Sequence, residues 1–275
     1  MVARHSLAIR LPEQRHVVRA GSAIFGDGEF ALIGGPCSVE NAKQLAIAAA
    51  AVHGAGGVML RGGAWKTRTS PYDFQGLGDG ALALLSDQRR LRGLPIVVEA
   101  LSEENVATLS ACADMIQIGA RNMQNVPLLR AAARSGRSIL LKRGPSATLD
   151  ELLLATEYIL LEGNENVVLC ERGIRSFDQS TRNVLDLGGA LRLKEMTSFP
   201  VIVDPSHGSG RRSLVEPLTL AAAAAGLDGA IIEVHPDPDR ALSDAAQSID
   251  CATFARIAAG VAAIRPRRSA VASAR

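Results

Sequence analysis

The sequence predicts a (β/α)8 barrel, and three observations carry that prediction. Eight short apolar runs of strand length recur along the 275 residues, and a segment with a helical pattern follows each. The runs read as unbroken Val, Ile and Leu, as strands buried on both faces do, rather than as apolar–polar alternation. Aromatic residues make up only 3% of the chain against 47% hydrophobic residues overall. The core is therefore built from Ala, Leu, Val and Ile, which suits layers of strand and helix.

Taken in order, the strand runs span residues 30–34, 57–60, 95–99, 115–118, 138–142, 166–170, 200–204 and 229–234. Helix-length segments between them include 40–53, 102–111, 126–135, 148–162, 182–196 and 214–225. Ser102 is followed three residues later by Asn105, a capping arrangement, and Gly54, Gly136, Gly163 and Gly226 stand just past helix ends. Eight such units close a barrel. The structural alternative is a doubly wound open sheet, which calls for a glycine-rich dinucleotide turn after its first strand. Residues 34–40 read GGPCSVE, which is not G-x-G-x-x-G. No linker divides the chain. The expected organisation is a short N-terminal extension over 1–28, a catalytic barrel over 29–262 and a disordered basic tail over 263–275.

Composition excludes several classes. Thirty basic and 28 acidic residues leave a net charge of +2, which argues against a dedicated nucleic-acid or membrane-surface binder. The first residues are broken by charge too often for a signal-peptide core. The apolar runs 45–52 and 218–226 fall far short of the ~20 residues of a membrane span. Four cysteines, Cys37, Cys112, Cys170 and Cys251, lie far apart, so free thiols in a reducing cytoplasm are expected.

In such barrels the reactive groups gather where the strands end. Those ends carry Cys37, Arg61 with Lys66, Glu99, Gln117 with Arg121, Lys142, Glu171 with Arg172, Asp204 with His207, and Glu233 with His235. Lys66, Arg68, Arg121, Lys142 and Arg172 form a cationic set drawn from several strands, which implies a strongly anionic ligand such as a phosphate or carboxylate. The plainer alternative is a rim of separate salt bridges. A thiol, an imidazole and two carboxylates from Cys37, His207, Glu233 and Asp244 could close around one divalent metal ion, with Mn, Fe, Co and Zn all compatible. Taken singly, Cys37 could be a small buried apolar group, His207 a loop hydrogen-bonder and Asp244 a helix cap.

Longer strings narrow the choice. IGGPCSVE, LRGGAWKTRTSPYDFQGLG, QIGARNMQN, LLKRG, CERGIRSFD, TRNVLD, VIVDPSHGSGRR and IIEVHPDPDRALSDAAQS, in this order, resemble the 3-deoxy-D-arabino-heptulosonate 7-phosphate (DAHP) synthases. The likeness is to the short bacterial and archaeal branch, which shares its barrel with the 3-deoxy-D-manno-octulosonate 8-phosphate synthases, and it covers roughly residues 28–255. The resemblance implies a transferase that condenses phosphoenolpyruvate with erythrose 4-phosphate, the entry step of the shikimate pathway. It implies Cys37, His207, Glu233 and Asp244 as ligands of one divalent metal ion. Lys66, Arg121, Lys142 and Arg172 would contact phosphoenolpyruvate, with Gln117 and Glu99 beside them, and Arg68, Thr69 and Ser70 would grip the aldose phosphate. Lys66 and Lys142 are expected to manage protons, because lysines packed among cations have lowered pKa values.

The chain departs from the family pattern at Thr67, where proline is usual and would stiffen the loop, and at Ala245, where glycine is common. Thr67 leaves open a secondary-metabolism paralogue or an octulosonate-type synthase with another aldose phosphate; a non-catalytic barrel subunit is the alternative from a different class. Other expectations are a homodimer or homotetramer assembled through apolar helix faces such as 218–225, a barrel plug or oligomer contact from the N-terminal segment, and insensitivity to aromatic amino acids.

Overall fold

The computed structural model describes residues 7–9, 15–66 and 70–265. An antiparallel hairpin comes first, β1 (Val18–Ala20) and β2 (Ala23–Phe25), with Val18 opposite Phe25. Eight parallel strands then close a barrel: β3 (Ala31–Gly35), β4 (Met59–Arg61), β5 (Ile96–Ala100), β6 (Met115–Ile118), β7 (Ser138–Lys142), β8 (Val167–Glu171), β9 (Val201–Val203) and β10 (Gly229–Glu233). β10 pairs back onto β3, with Glu233 opposite Gly35. The helices are α1 (Ala42–Gly54), α2 (Asp79–Arg92), α3 (Glu103–Cys112), α4 (Val126–Arg134), α5 (Leu149–Leu161), α6 (Leu187–Met196), the short α7 (Pro205–Ser209), α8 (Arg212–Ala224) and α9 (Cys251–Ile264). The predicted barrel is the observed one.

Strand pleating sorts the side chains into two shells. Leu32, Leu60, Val98, Ile116, Leu141, Leu169, Val203 and Ile232 point outward and pack under the helices. Ile33, Met59, Val97, Met115, Leu140, Val168, Ile202 and Ile231 point into the barrel. The hairpin adds Val18, Ala20, Ala23 and Phe25 to that inner cluster, so it closes the end where the strands begin. Its backbone is tied there by Ser138 Oγ, which donates to Arg19 O at 2.7 Å, and by His16 N, which donates to Ser198 O at 3.1 Å.

Local signals set the helix starts. Asn41, Ser102, Asn125, Asp186 and Asp250 each cap a helix with a side-chain oxygen, and Thr148 forms a full capping box with Glu151. The helix expected over 182–196 begins five residues later, at Leu187. Val184 pairs with Ile174 across an antiparallel bridge, and the Asp186 side chain accepts from Gly189 N, so the cap fixes the start. Residues 263 and 264, expected in the tail, belong to a helix. Helix α9 reaches Ile264, and Arg265 donates to Leu227 O and Gly28 O at 2.7 and 2.6 Å; residues 266–275 lie outside the described residues. Of the apolar face 218–225, Ala221, Ala224 and Ala225 are exposed, while the leucines are not free. Leu218 and Leu220 pack onto the core, and Leu220 lies where a side chain on Gly260 of α9 would go.

Candidate active site

The same alternation that fills the lower barrel with aliphatics carries its inward row up to polar residues. Two positions beyond Met59 stands Arg61; beyond Val97, Glu99; beyond Met115, Gln117; beyond Leu140, Lys142; beyond Ile202, Asp204; and beyond Ile231, Glu233. On β8 the row runs Val168, Cys170 and then Arg172. Arg61, Glu99, Gln117, Lys142 and Arg172 of this row line a cavity of about 240 Å3 with Trp65, Lys66, Asp73, Arg121, Arg182, His207 and Asp244, while Asp204 and Glu233 are fully buried. Glycine makes room in one place, since a Cβ on Gly119 would fall 1.9 Å from Glu99 Oε1. The other carboxylate oxygen, Glu99 Oε2, accepts from Gln117 Nε2 at 3.0 Å.

At one side of the cavity are the groups that could hold a cation. Ligand atoms of Cys37, Glu233 and Asp244 lie within 4.8 Å of one another. His207 adds Nε2 at 3.5 Å from Glu233 Oε1 and 3.8 Å from Asp244 Oδ2. Its Nδ1 lies 2.8 Å from Asp204 Oδ2, which holds the ring with Nε2 turned toward the two carboxylates. Asp204 Oδ2 also accepts from Lys142 Nζ, at 2.5 Å. Burial alone would raise the Asp204 carboxyl, but His207 and Lys142 hold it well below the ordinary carboxylate range. Glu233, fully buried, is flanked by Arg61 Nη2 at 3.2 Å and Gln247 Nε2 at 2.7 Å. Cys37 Sγ donates to Asp244 Oδ2 at 3.0 Å and accepts from Lys66 Nζ at 2.9 Å. Burial, reinforced by Glu233, raises the Cys37 thiol pKa. Asp244 is the non-glycine residue of positive φ among the described residues, at 52°, and it sits in a loop rather than capping a helix.

Two loops hold this group in register. Cys37 meets Asp244, Ser38 Oγ lies 2.8 Å from Ser243 Oγ, and Glu40 accepts from Leu242 N at 2.8 Å. The segment after β3 is thus laced to the segment after β10, across some two hundred residues of chain.

Of the residues singled out from the sequence, the structure brings Cys37, Lys66, Glu99, Gln117, Arg121, Lys142, Arg172, His207, Glu233 and Asp244 to this end of the barrel. Arg68 and Thr69 lie outside the described residues, as does Thr67. Ser70 instead caps its own turn, accepting from Tyr72 N at 3.2 Å. Two strand-end groups face away from the cavity. Glu171 is one position out of phase with Arg172 and pairs with Arg143, and His235 pairs with Glu40. The lowered lysine pKa expected for Lys66 is not what the surroundings produce. Burial works against its charge, yet Cys37, Glu99 and Glu233 outweigh it and hold the ammonium above its ordinary value.

Sequence reasoning gave no role to Arg61, Arg182 or Gln247. Arg61 is the most telling of these. It is buried, and both Nε and Nη1 lack a hydrogen-bond partner. The sequence places it at a strand end, as the charge closing the apolar run Met59–Arg61, and its inward phase shows only in the fold.

The model of the DAHP synthetase I family matches residues 11–265. A phospho-2-dehydro-3-deoxyheptonate aldolase of Thermotoga maritima is 47% identical over 238 residues, covering 86% of this chain and 70% of the relative. A 2-dehydro-3-deoxyphosphooctonate aldolase of Syntrophotalea carbinolica is 34% identical, over 82% of this chain and 86% of its own. Among solved structures, a DAHP synthase from Thermotoga maritima superposes with a TM-score of 0.88 at 44% identity, covering 94% of this chain and 74% of that one. A truncated form of the Thermotoga maritima enzyme gives 0.87 at 41% identity, covering 94% and 95%.

Proposed function

The chain belongs to the DAHP synthetase I family, and on that premise we propose that it condenses phosphoenolpyruvate with erythrose 4-phosphate, releasing phosphate. The observation that carries the reading is the cation-lined inner wall. Arg61 presents two buried, unpartnered guanidinium nitrogens, and Lys142, Arg172, Lys66 and Arg121 line the same cavity. Among the described residues Arg172 has no carboxylate in ion-pair range, and burial lowers its pKa. Two desolvated guanidinium nitrogens without an acceptor and a buried Arg172 without an ion-pair partner among the described residues are costly, and a trianion with carboxylate and phosphate at its two ends supplies what they lack.

In this reading Arg61, Lys66, Arg121, Lys142 and Arg172 bind and orient phosphoenolpyruvate, with Gln117 and Glu99 beside them. C3 of the enol attacks the aldehyde carbon, forming the new C–C bond. Water adds at C2, and the resulting hemiketal phosphate loses phosphate by C–O cleavage. Lys142 is the group placed to hold or move a proton, since Asp204 links its Nζ to the His207 ring. Cys37, His207, Glu233 and Asp244 suit a divalent ion of the Mn, Fe, Co or Zn type. A buried and a partly exposed carboxylate, a thiol and an imidazole with its distal nitrogen already engaged converge there. Such an ion, when bound, supplies Lewis acidity toward the aldehyde oxygen. Ser70, with Arg68 and Thr69, remains our assignment for the aldose phosphate.

The octulosonate relatives at 34% identity keep arabinose 5-phosphate as the second reading. The test is phosphate release from phosphoenolpyruvate with each aldose phosphate, on chelated and on Mn²⁺-reloaded protein. Erythrose 4-phosphate should give the larger kcat/KM by orders of magnitude, and only with the ion restored. Preference for the five-carbon sugar would transfer the chain to the second reading, and full turnover of ion-free protein would remove the metal assignment. The free thiols of all four cysteines support a cytoplasmic setting. Exposed Leu154, Tyr158 and Leu161 on α5 support self-association, in place of the 218–225 face, whose leucines pack onto the core.

A further inference from the structure

Beside the active-site cavity, on the same end of the barrel, lies a broader groove of about 850 Å3 between the β8–α6 loop, the start of α8 and the start of α9. Its lining carries Arg182, Arg211, Arg212 and Arg256 against a single carboxylate, Glu216. That carboxylate is committed: Arg256 Nε and Nη2 donate to it at 2.7–3.0 Å. Arg211 donates through Nε to Ser180 O at 2.7 Å and has no carboxylate in ion-pair range among the described residues. Arg212 reaches the exposed Asp239 through Nη2 at 2.8 Å, while its Nε is buried without a partner. Helix α8 also begins here. Its N-cap, Arg211, gives no side-chain cap, and its first turn holds no acidic residue, so the positive end of a 13-residue helix adds to the arginines.

We infer that this groove is a second anion site, built for the phosphate group of a small phosphorylated metabolite and distinct from the pocket that takes phosphoenolpyruvate. Three of its arginines come from separate segments, and a doubly charged tetrahedral anion is the guest that several converging forked donors match. Arg182 connects the two cavities because it lines both. From the groove its Nη1 donates to Gln247 Oε1 at 2.9 Å and lies 3.5 Å from Asp244 Oδ1, and Gln247 in turn holds Glu233. An anion that draws Arg182 into the groove withdraws it from both contacts. Occupancy of the groove is thereby linked to the seating of Asp244 and Glu233, and the anion acts as an inhibitor that does not compete for the phosphoenolpyruvate pocket.

The binding test is independent of the proposed reaction. Inorganic phosphate, and separately glucose 6-phosphate as a phosphate with an organic body, would be titrated calorimetrically into metal-free chain. The proteins are the unsubstituted chain, Arg211→Ala/Arg212→Ala and Arg172→Ala. One bound equivalent should weaken at least tenfold in Arg211→Ala/Arg212→Ala and persist in Arg172→Ala. Tighter binding of glucose 6-phosphate than of phosphate at that equivalent identifies an organic phosphate as the guest; the reverse order assigns the site to free phosphate and overturns the metabolite. Should the double variant melt early, Arg211→Glu, a change at an exposed side chain, carries the same comparison. The site is overturned if no equivalent depends on Arg211 and Arg212. A kinetic arm rests on the proposed reaction: the part of the inhibition that excess phosphoenolpyruvate does not relieve should vanish in Arg211→Ala/Arg212→Ala, which should otherwise turn over normally. Failure of every protein to turn over would count against the proposed reaction, while the calorimetric comparison would still decide the site.

Discussion

The two ends of one barrel are built from the same inward-facing rows of side chains and differ completely in character. At the end where the strands begin, Ile33, Met59, Val97, Met115 and Ile231 meet a hairpin that adds Phe25 and Val18 to one apolar cluster. Two residues further along the same strands, the row becomes Arg61, Glu99, Gln117, Lys142, Asp204 and Glu233. Stability resides in the first layer and chemistry in the second, because burying aliphatic surface is favourable while burying charge is favourable only when partners are supplied. The hairpin makes the division possible: with the lower end closed by apolar packing, the upper layer need not contribute to holding the barrel shut.

That contrast can be broken by substitution at either end. The largest effect is expected from Phe25→Ala, which empties a fully buried ring from the plug. It should cost about 3–5 kcal/mol of unfolding free energy, seen as a lowered midpoint in urea, while kcat/KM stays within a factor of about two. A Phe25→Ala protein that keeps its stability would show that the hairpin is ornamental. Next comes Lys142→Ala. It removes the ammonium shared between Asp204 and the cavity, and kcat/KM should fall by roughly 2–4 kcal/mol, as for other charged hydrogen bonds in closed sites. Lost stability with unchanged kinetics at this position would turn the polar layer into scaffold.

The smallest effect concerns Glu171, which lies outside the site although it ends a strand. Burial raises its carboxyl pKa in spite of Arg143. A carboxyl raised in the folded state binds its proton more tightly there than in the unfolded chain. Its contribution to stability is therefore fullest below the unfolded value near ~4.3 and declines as pH rises through the folded one. Relative to Glu171→Gln, the unsubstituted chain should lose melting temperature across that interval as pH increases. Parallel melting curves for the two proteins would contradict the assignment.

How much of this was legible in the sequence follows from strand geometry. Where the strands end could be read from charges stopping apolar runs, and Lys142, Glu99 and Gln117 were found that way. Which of two adjacent polar residues faces inward could not. Strands buried on both faces show no alternation, so Arg172 and Glu171, or Lys142 and Arg143, look equivalent until Cys170 and Leu140 are seen inside the barrel. Long-range lacing was also invisible: nothing local to Ser38 or Glu40 announces Ser243 or Leu242 as partners. Residue type and strand-end position already grouped Cys37 with His207, Glu233 and Asp244 as one possible set, and the resemblance to a known family implied the same four as ligands. The expected lysine pKa failed for a related reason. Counting cations along the chain near Lys66 misses Glu99 and Glu233, which the fold brings to it.

The division between the two ends is tested most directly by titrating phosphoenolpyruvate into metal-free Arg172→Met and Phe25→Ala, with thermal melts of both. Among the described residues Arg172 has no carboxylate in ion-pair range to strand, and burial holds it at a cost. Arg172→Met should therefore melt at or above the temperature of the unsubstituted chain and bind phosphoenolpyruvate at least about thirtyfold more weakly, roughly 2 kcal/mol. Phe25→Ala should melt lower and bind as before. The opposite pattern, with affinity lost at Phe25 and only stability lost at Arg172, would contradict the account.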